Sequence, residues 1–267
     1  LVQAPLASRG LTVDTIPWDR AGVDWKPYGL VVIRSTWDYQ HRPEAFLATL
    51  AAIEASGARL ENSLAIARWN MQKTYLKDLK ARAVTTVPTL WRDRLRPGGL
   101  LQMFEALESD EAVMKPVVSG NAQGAYWLNR ARVLALAPEI EDYFAKRPLM
   151  MQPFERNVVT EGEFALIYFN GRHSHSILKV PKRGDFRVQE EHGADIKTIH
   201  AEPALLAAAD AAMAAIGKTL LYARVDLVRH GAEFRVMELE LVEPSLYLRM
   251  EAGAPERFAD AIASLVA

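Results

Sequence analysis

The chain has 267 residues, half of them hydrophobic, a formal net charge of −1 and no cysteine. This length supports a sizeable core, organised as two domains or as one domain with lobes. The balanced charge predicts no nucleic-acid partner, and the lack of cysteine excludes disulfides and thiolate metal sites. No apolar run approaches the roughly 18 residues of a membrane span, and no signal-peptide pattern is visible. We therefore expect a cytoplasmic protein without a membrane partner.

The N-terminal part of the chain alternates between strand-like and helix-like segments. After a helix end at residues 1–10, the patterns predict strands at 11–18 and 30–33, a helix at 43–56 that Gly57 ends, and a strand beginning at 58–60. Such alternation is typical of a parallel α/β domain, which binds its ligands at the carboxyl ends of the strands.

A polar and aromatic cluster follows the predicted buried strand 30–33. Arg34, Ser35, Thr36 and Tyr39 would lie at the carboxyl end of this strand, and the guanidinium of Arg34 has the planar fork that suits a carboxylate. We predict that these residues form part of a substrate pocket. The alternative is a loop whose Trp37 and Tyr39 pack on the domain below.

The middle of the chain predicts a helix at 70–79 with Asn70 as its N-cap, strands at 85–90, 112–118 and 149–154, and a helix at 98–107. Lys115 lies in one of these apolar strands. Because lysine is seldom buried without a partner, we expect Lys115 to face an anion. The N–H groups of the following loop, 119–124, could cap phosphates. The loop is not a GxxxxGK[ST] motif, however, and taken alone it is more typical of an ordinary β-turn.

Two strands, 163–170 and 173–180, are predicted to meet at the Gly171 turn, and helices are predicted at 203–216 and 255–266. His173 and His175 alternate on the second strand. They could be metal ligands, but we favour surface or substrate-side positions. A basic cluster follows, formed by Lys179, Lys182, Arg183 and Arg187.

Residues 221–246 form a predicted hairpin in which acidic residues interrupt apolar runs. Glu238 and Glu240 are two residues apart and share one face, and Asp226 lies on the partner strand. Three converging carboxylates in apolar surroundings repel one another unless a cation lies between them. Oxygen-only ligands suit Mg²⁺ or Mn²⁺. The alternative is an antiparallel hairpin with one wet face.

The order of Lys73, Lys115, the 119–124 loop, the Gln152-Pro153-Phe154 strand end and the three acids resembles that of an ATP-grasp ligase of the glutathione synthetase group. The stretches RSTWDY, WNMQKTYLKDL, VMKPVVSG, MQPF, RVDLV and MELELVEPSL are similar to a bacterial subfamily that includes the O-ureido-serine cyclo-ligase of cycloserine biosynthesis. The resemblance implies an α/β fold with α+β lobes. Its parts would be an N-terminal parallel α/β pre-ATP-grasp substrate domain at 1–68, a small lobe at 69–148 and a large lobe with the Mg site at 149–267.

The resemblance also implies roles for individual residues. Lys73, Lys115, Ser119, Gly120 and Gly124 would bind ATP, Gln152, Pro153 and Phe154 would read adenine, Glu163 would bind the ribose, Arg187 and Arg224 would act on the transferred phosphoryl group, and Asp226, Glu238 and Glu240 would hold two Mg²⁺ ions. Many ATP-grasp enzymes have the pattern Glu-x-Asn, whereas this chain has Glu240 as the last ligand. The extra charge should strengthen divalent-ion binding.

The implied reaction is ATP- and Mg-dependent formation of a carbon–nitrogen bond through an acyl phosphate, on an amino acid or small peptide-like substrate. Phosphoryl transfer needs positioning and charge neutralisation, which lysines, arginines and Mg²⁺ supply. Three alternatives are a cyclo-ligase, a nucleotide-binding protein without turnover and a two-metal hydrolase. The hydrolase would leave Lys115 and the glycine loop unexplained. A homodimer is left open.

Overall fold

The computed structural model describes residues 1–266. Its helices are α1 (Gln3–Ala7), α2 (Pro43–Ala55), α3 (Leu64–Asn70), α4 (Tyr75–Ala81), α5 (Gly99–Glu105), α6 (Arg130–Tyr143), α7 (Asn157–Thr160), α8 (Pro203–Ile216) and α9 (Ala254–Ala263). Its strands are β1 (Leu30–Val32), β2 (Arg59–Glu61), β3 (Leu90–Arg92), β4 (Glu111–Pro116), β5 (Tyr126–Asn129), β6 (Leu149–Pro153), β7 (Glu163–Phe169), β8 (Arg172–Val180), β9 (Asp195–Ile199), β10 (Tyr222–His230) and β11 (Glu233–Glu240). No described helix combines the length and the apolar character that a membrane span requires.

The strands form three sheets, which confirms a mixed α/β fold. β1 and β2 pair in parallel, β3-β6-β4-β5 form a four-stranded antiparallel sheet, and β11-β10-β7-β8-β9 form a five-stranded antiparallel sheet. Every residue of β7 is buried because α8 covers one face of the large sheet and α9 covers the other. The strand β6 lies between β3 and β4, so residues 149–153 belong to the sheet of the middle segment.

The N-terminal α/β unit is smaller than predicted. α2 packs on the two parallel strands through Phe46, Leu50 and Ile53. The predicted strand at 11–18 is wrong, because this segment is largely exposed and has no strand conformation. An extended segment needs a neighbouring strand for its backbone groups, and Pro17 also lacks an N–H.

The predicted helix start at Asn70 is also wrong, since Asn70 is the last residue of α3. Its side chain instead bonds to the last strand of the large sheet. The Asn70 amide donates to the carbonyl of Leu239 at 2.7 Å and accepts from the N–H of Leu241 at 2.8 Å. This long-range pair satisfies two buried backbone groups at the end of β11. A helix cap can be predicted from neighbouring residues, whereas hydrogen bonds to a strand far away in sequence cannot.

Candidate active site

One cavity of about 270 Å³ lies where the four-stranded sheet, the five-stranded sheet and the N-terminal unit meet. Most of the predicted site residues line it. They are Tyr39, Lys73, Lys115, Ser119, Gly120, Gln152, Pro153, Phe154, Glu163, Arg187, Arg224, Asp226, Glu238 and Glu240. Arg34, Ser35, Thr36 and Gly124 are not among the lining residues. The chain thus brings residues from all six of the family-like sequence stretches to one cavity, although these stretches are far apart in sequence.

The acidic residues of the hairpin lie opposite one another as predicted. In the pairing of β10 with β11, Asp226 faces Glu238, and Arg224 faces Glu240. The Arg224 guanidinium forms ion pairs with Asp226, at 2.8 Å, and with Glu240. Residues i and i+2 of a strand share a face, so this arginine lies beside the acids that it neutralises.

Two lysines complete the charged floor of the cavity. The Lys73 ammonium lies 2.6 Å from Glu238 and also donates to the carbonyl of Ser119 at 3.1 Å. Lys179 pairs with Glu163 and lies 3.3 Å from Asp226. Lys115 lines the same cavity but takes part in no ion pair with any residue from 1 to 266. Burial and the neighbouring Lys73 lower the pKa of Lys115, although Glu238 opposes the shift. A partly buried cation of this kind binds an incoming anion favourably.

Burial and the neighbouring carboxylates disfavour the ionised form of two acids in the cavity. Burial raises the pKa of Glu240 to about 7, and the charges of Asp226 and Glu238 add to the shift. Burial and then Glu240 raise the pKa of Glu243 to about 8. Glu238 is the exception, because Lys73 and Lys115 outweigh its burial and lower its pKa to about 2. A further cation near Glu240 would favour its ionised form.

The oxygen donors of this cavity suit Mg²⁺ chemically. Within residues 1–266, no three His, Cys, Asp or Glu side chains are placed so that they could hold a metal ion together. Each predicted ligand is instead turned toward a lysine or arginine. Asp226, Glu238 and Glu240 nevertheless lie on facing positions of two paired strands, and carboxylates are the ligands that Mg²⁺ prefers. The magnesium site stays a prediction.

An aromatic wall lies beside the predicted adenine-binding residues. Trp127 stacks on Phe154 with ring centroids 4.5 Å apart, and Phe186 lies 6.0 Å from Trp127.

The polar residues beside this wall have partners within the protein. The Gln152 side chain donates a hydrogen bond to the hydroxyl of Thr89 at 3.0 Å. Glu155 pairs with Arg235 at 2.8 Å.

Known proteins share this architecture and much of the sequence. The model of the D-cycloserine synthetase DcsG N-terminal domain matches residues 1–62. The cycloserine biosynthesis protein DcsG of Streptomyces lavendulae is 31% identical over 274 residues, which cover 95% of this chain and 89% of that protein. The chain belongs to the DcsG family. It is therefore an ATP-grasp ligase, as the resemblance implied, and its reaction is ATP-dependent carbon–nitrogen ligation.

Solved structures agree with this family assignment. The crystal structure of D-cycloserine synthetase DcsG has a TM-score of 0.87 and 28% identity, covering 100% of this chain and 93% of that one. The ATP-grasp ligase PsnB, complexed with a minimal precursor, has a TM-score of 0.69 at 18% identity, with coverage of 100% and 94%. D-alanine–D-alanine ligase from Bacillus anthracis has a TM-score of 0.64 at 14% identity, with coverage of 82% and 74%. The last two show the fold alone.

The glycine loop of this DcsG-family ligase is held by neighbours on both sides. A Cβ at Gly120 would clash with the side chain of Gln40 from the N-terminal unit. Gly124 has a φ of +70°, and a Cβ there would lie 2.6 Å from the hydroxyl of Tyr143. Gly124 thus shapes the loop against α6 rather than lining the cavity.

Arg187 lines the cavity, and its guanidinium is paired with the carboxylate of Asp185 at 2.7 Å.

Arg34 lies behind the cavity instead of inside it. Its guanidinium donates to the carbonyl of Pro244 at 3.0 Å and lies 5.7 Å from the ring of Tyr222 and 6.0 Å from that of Phe258. Ser35 is exposed, with a φ of 53°. The geometry therefore gives Arg34 the role of holding the chain after β11, while Tyr39 alone of the four predicted substrate residues reaches the cavity wall.

Arg34→Ala is expected to lower the free energy of unfolding by about 1.5–3 kcal/mol, because one charge-assisted hydrogen bond is lost and a buried carbonyl is left unpaired. ATP affinity per folded molecule should stay unchanged. Urea unfolding and nucleotide titration of the same preparation measure both quantities. The exposed Arg68→Ala variant, changed on the outer face of α3, is the control. Unchanged stability would contradict this role.

The two histidines of β8 do not belong to the site. His175 is buried, with Nε2 2.9 Å from the carbonyl of Leu246 and Nδ1 2.9 Å from the hydroxyl of Ser174. His173 contacts the hydroxyl of Ser176 at 2.8 Å. Neither histidine lines the cavity. The expected surface or substrate-side position of His175 is wrong, because its side chain is buried beside a bulge where Ser174 is an extra residue of β8.

His175 should make the fold sensitive to acid. Burial lowers the pKa of His175 to about 4, whereas an unfolded histidine titrates near ~6.5. The unfolded chain thus binds the proton first, so this contribution to stability is present above about pH 6.5 and is lost as the pH falls toward 4. We expect the urea midpoint of His175→Gln to fall less steeply from pH 7 to 4.5 than that of the wild type. The exposed His200→Gln variant should keep the wild-type slope.

Several cavity residues were not predicted as site residues, among them Trp37, Lys179, Glu243 and Tyr247. Lys179 was visible only as one member of a basic cluster, and its two acidic partners lie on other strands. Glu243 and Tyr247 follow the hairpin at even spacing with Ser245. That spacing was a usable signal, since alternate residues of an extended segment face the same side.

Proposed function

We propose that this DcsG-family ligase activates a substrate carboxylate with ATP and then joins it to an amine. The γ-phosphoryl group passes to the carboxylate oxygen, ADP leaves, and the amine nitrogen attacks the acyl carbon and displaces phosphate. The observation that supports this proposal most is the single cavity in which Lys73, Lys115, Lys179 and Arg224 surround the acids of the hairpin. Such an arrangement positions phosphates and neutralises charge, which is what phosphoryl transfer requires.

The roles of the residues follow from their places in the cavity. Lys115, free of an acidic partner within the described chain, would bind a phosphate oxygen, and Lys73 would hold Glu238 and the glycine loop together. The main chain at 152–154 would read adenine beside the Trp127–Phe154 wall. Arg224 would stabilise the transferred group. Mg²⁺, when bound by Asp226, Glu238 and Glu240, would neutralise the β- and γ-phosphates.

The substrate is proposed to be a small amino-acid derivative that cyclises. The near full-length similarity to a cycloserine biosynthesis protein favours an O-ureido-serine substrate, in which the carboxylate and the attacking nitrogen belong to one molecule. Intermolecular ligation of two amino acids is the second candidate. We also propose that residues 1–68 form the substrate domain and that the predicted small lobe, 69–148, extends to residue 153, because β6 belongs to its sheet. The rest of the predicted 149–267 segment would then form the large lobe.

Release of ADP with O-ureido-D-serine alone, compared with release with pairs of amino acids, tests the substrate. The cyclisation predicts turnover with the single compound and no need for an added amine. ADP release only when a separate amine is present would favour intermolecular ligation. No release with either would refute the proposed substrate class.

A further inference from the structure

The segment that follows β11, residues 242–246, is held in an unusual way. Five consecutive backbone carbonyls each contact a side chain from a distant part of the chain: Val242 contacts the Tyr222 hydroxyl at 2.8 Å, Glu243 the Trp37 indole at 3.0 Å, Pro244 the Arg34 guanidinium at 3.0 Å, Ser245 the Arg224 guanidinium at 3.2 Å and Leu246 the His175 imidazole at 2.9 Å. Backbone carbonyls outside helices and sheets must find such partners when they are shielded from water. Here the partners fix the whole segment.

The fixed segment presents alternate side chains to the cavity. Glu243, Ser245 and Tyr247 line it, whereas Pro244 and Leu246 are buried on the other side. Tyr247 has a φ of 47°, a conformation that a bulky residue adopts only where its surroundings impose it. Positioned groups of this kind are characteristic of a binding surface held ready for its ligand.

Glu243 differs from the other acids of this cavity floor. Asp226, Glu238, Glu240 and Glu163 each pair with a lysine or arginine. Among residues 1–266, Glu243 takes part in no ion pair, because Arg34 and Arg224 use their nearby donors on the carbonyls of the segment or on other acids. A shielded carboxylate without a cation is unfavourable. A cationic group of a ligand bound in the cavity would give Glu243 the partner that the described residues do not supply.

Nucleotide phosphates cannot be that ligand, since they are anions and would be repelled by Glu243. We propose that the carboxylate of Glu243 binds the α-ammonium group of the amino-acid substrate and thereby selects amino acids over the corresponding acids without an amine. An ammonium group offers three N–H donors, and an ionised carboxylate accepts hydrogen bonds from them. This role rests on the proposed function, because it assumes an amino-acid derivative as the substrate.

The test compares two compounds that differ only in the ammonium group: O-ureido-D-serine and 3-(ureidooxy)propanoic acid. ADP release with saturating ATP and Mg²⁺ gives kcat/KM for each. The wild type should prefer the first compound by about 10- to 150-fold, the loss expected for one charge-assisted contact. Glu243→Gln should bring the ratio close to one, because kcat/KM for O-ureido-D-serine falls toward that for the deamino compound. Glu233→Gln, the same change on the exposed hairpin turn, should keep the wild-type ratio.

The deamino compound also controls for folding, because it needs no ammonium site. A Glu243→Gln variant that keeps the wild-type ratio would overturn the assignment of Glu243. So would a variant that keeps the wild-type melting temperature but loses activity on both compounds, since Glu243 would then serve more than ammonium recognition. A wild-type protein that turns over neither compound would instead refute the proposed substrate, and the ammonium site with it.

Discussion

Glu238→Gln is expected to abolish ATP turnover, with a loss of at least about 100-fold in kcat, while the protein stays folded. Glu238 lies 2.6 Å from Lys73, faces Asp226 across the hairpin and keeps its charge because Lys73 and Lys115 lower its pKa. Glutamine has the same shape and can still accept a hydrogen bond from Lys73, but it cannot offer a charged ligand to Mg²⁺.

The measurement is steady-state ADP release over a range of Mg²⁺ concentrations, with the melting temperature of the same preparation. Glu233→Gln, which removes a carboxylate from the exposed turn of the same hairpin, is the matched control and should behave as the wild type. Full activity in Glu238→Gln would remove the acidic triad from the mechanism.

Lys115→Met is expected to weaken ATP binding by about 10- to 150-fold, the effect of one lost charge-assisted contact. Burial and Lys73 lower the pKa of Lys115, so its charge is unfavourable in the protein without nucleotide. Methionine has a similar length and removes that charge. The variant should therefore be at least as stable as the wild type without nucleotide, and it should be stabilised less by added ATP.

Isothermal titration with a non-hydrolysable ATP analogue and Mg²⁺ gives the affinity, and thermal melts with and without the analogue give the stabilities. Lys80→Met, a change on the exposed face of α4, should alter neither. An unchanged dissociation constant in Lys115→Met would place the nucleotide elsewhere.

Local periodicity was sufficient to predict the acidic face of the hairpin. Asp226 and Glu238 face each other because strands have a period of two, and a Gly-containing turn joins β10 to β11. Lys73, Lys115 and Gln152, which were predicted to bind the nucleotide, also line the same cavity as the acids. These features depend on local pattern or on the order of motifs along the chain.

Two kinds of feature were not predicted: side-chain roles that depend on long-range contacts, and a helix that contains a proline. Arg34 meets Pro244 and Asn70 meets Leu239, in each case a partner far away in sequence, so their roles could not be read from neighbouring residues. The helix α6 was not predicted, because Pro138 lies inside it and proline normally ends a helix.

Transfer of ¹⁸O from a labelled substrate carboxylate to phosphate tests the central claim most directly. If the carboxylate attacks the γ-phosphorus of ATP and the amine later displaces phosphate, the phosphate released from O-ureido-D-serine labelled in its carboxylate must carry one ¹⁸O atom from it. The nucleotide product must be unlabelled ADP. ³¹P NMR resolves the isotope shift of the phosphate. Product formation with unlabelled phosphate, or with the label in AMP, would contradict an acyl phosphate formed in this cavity.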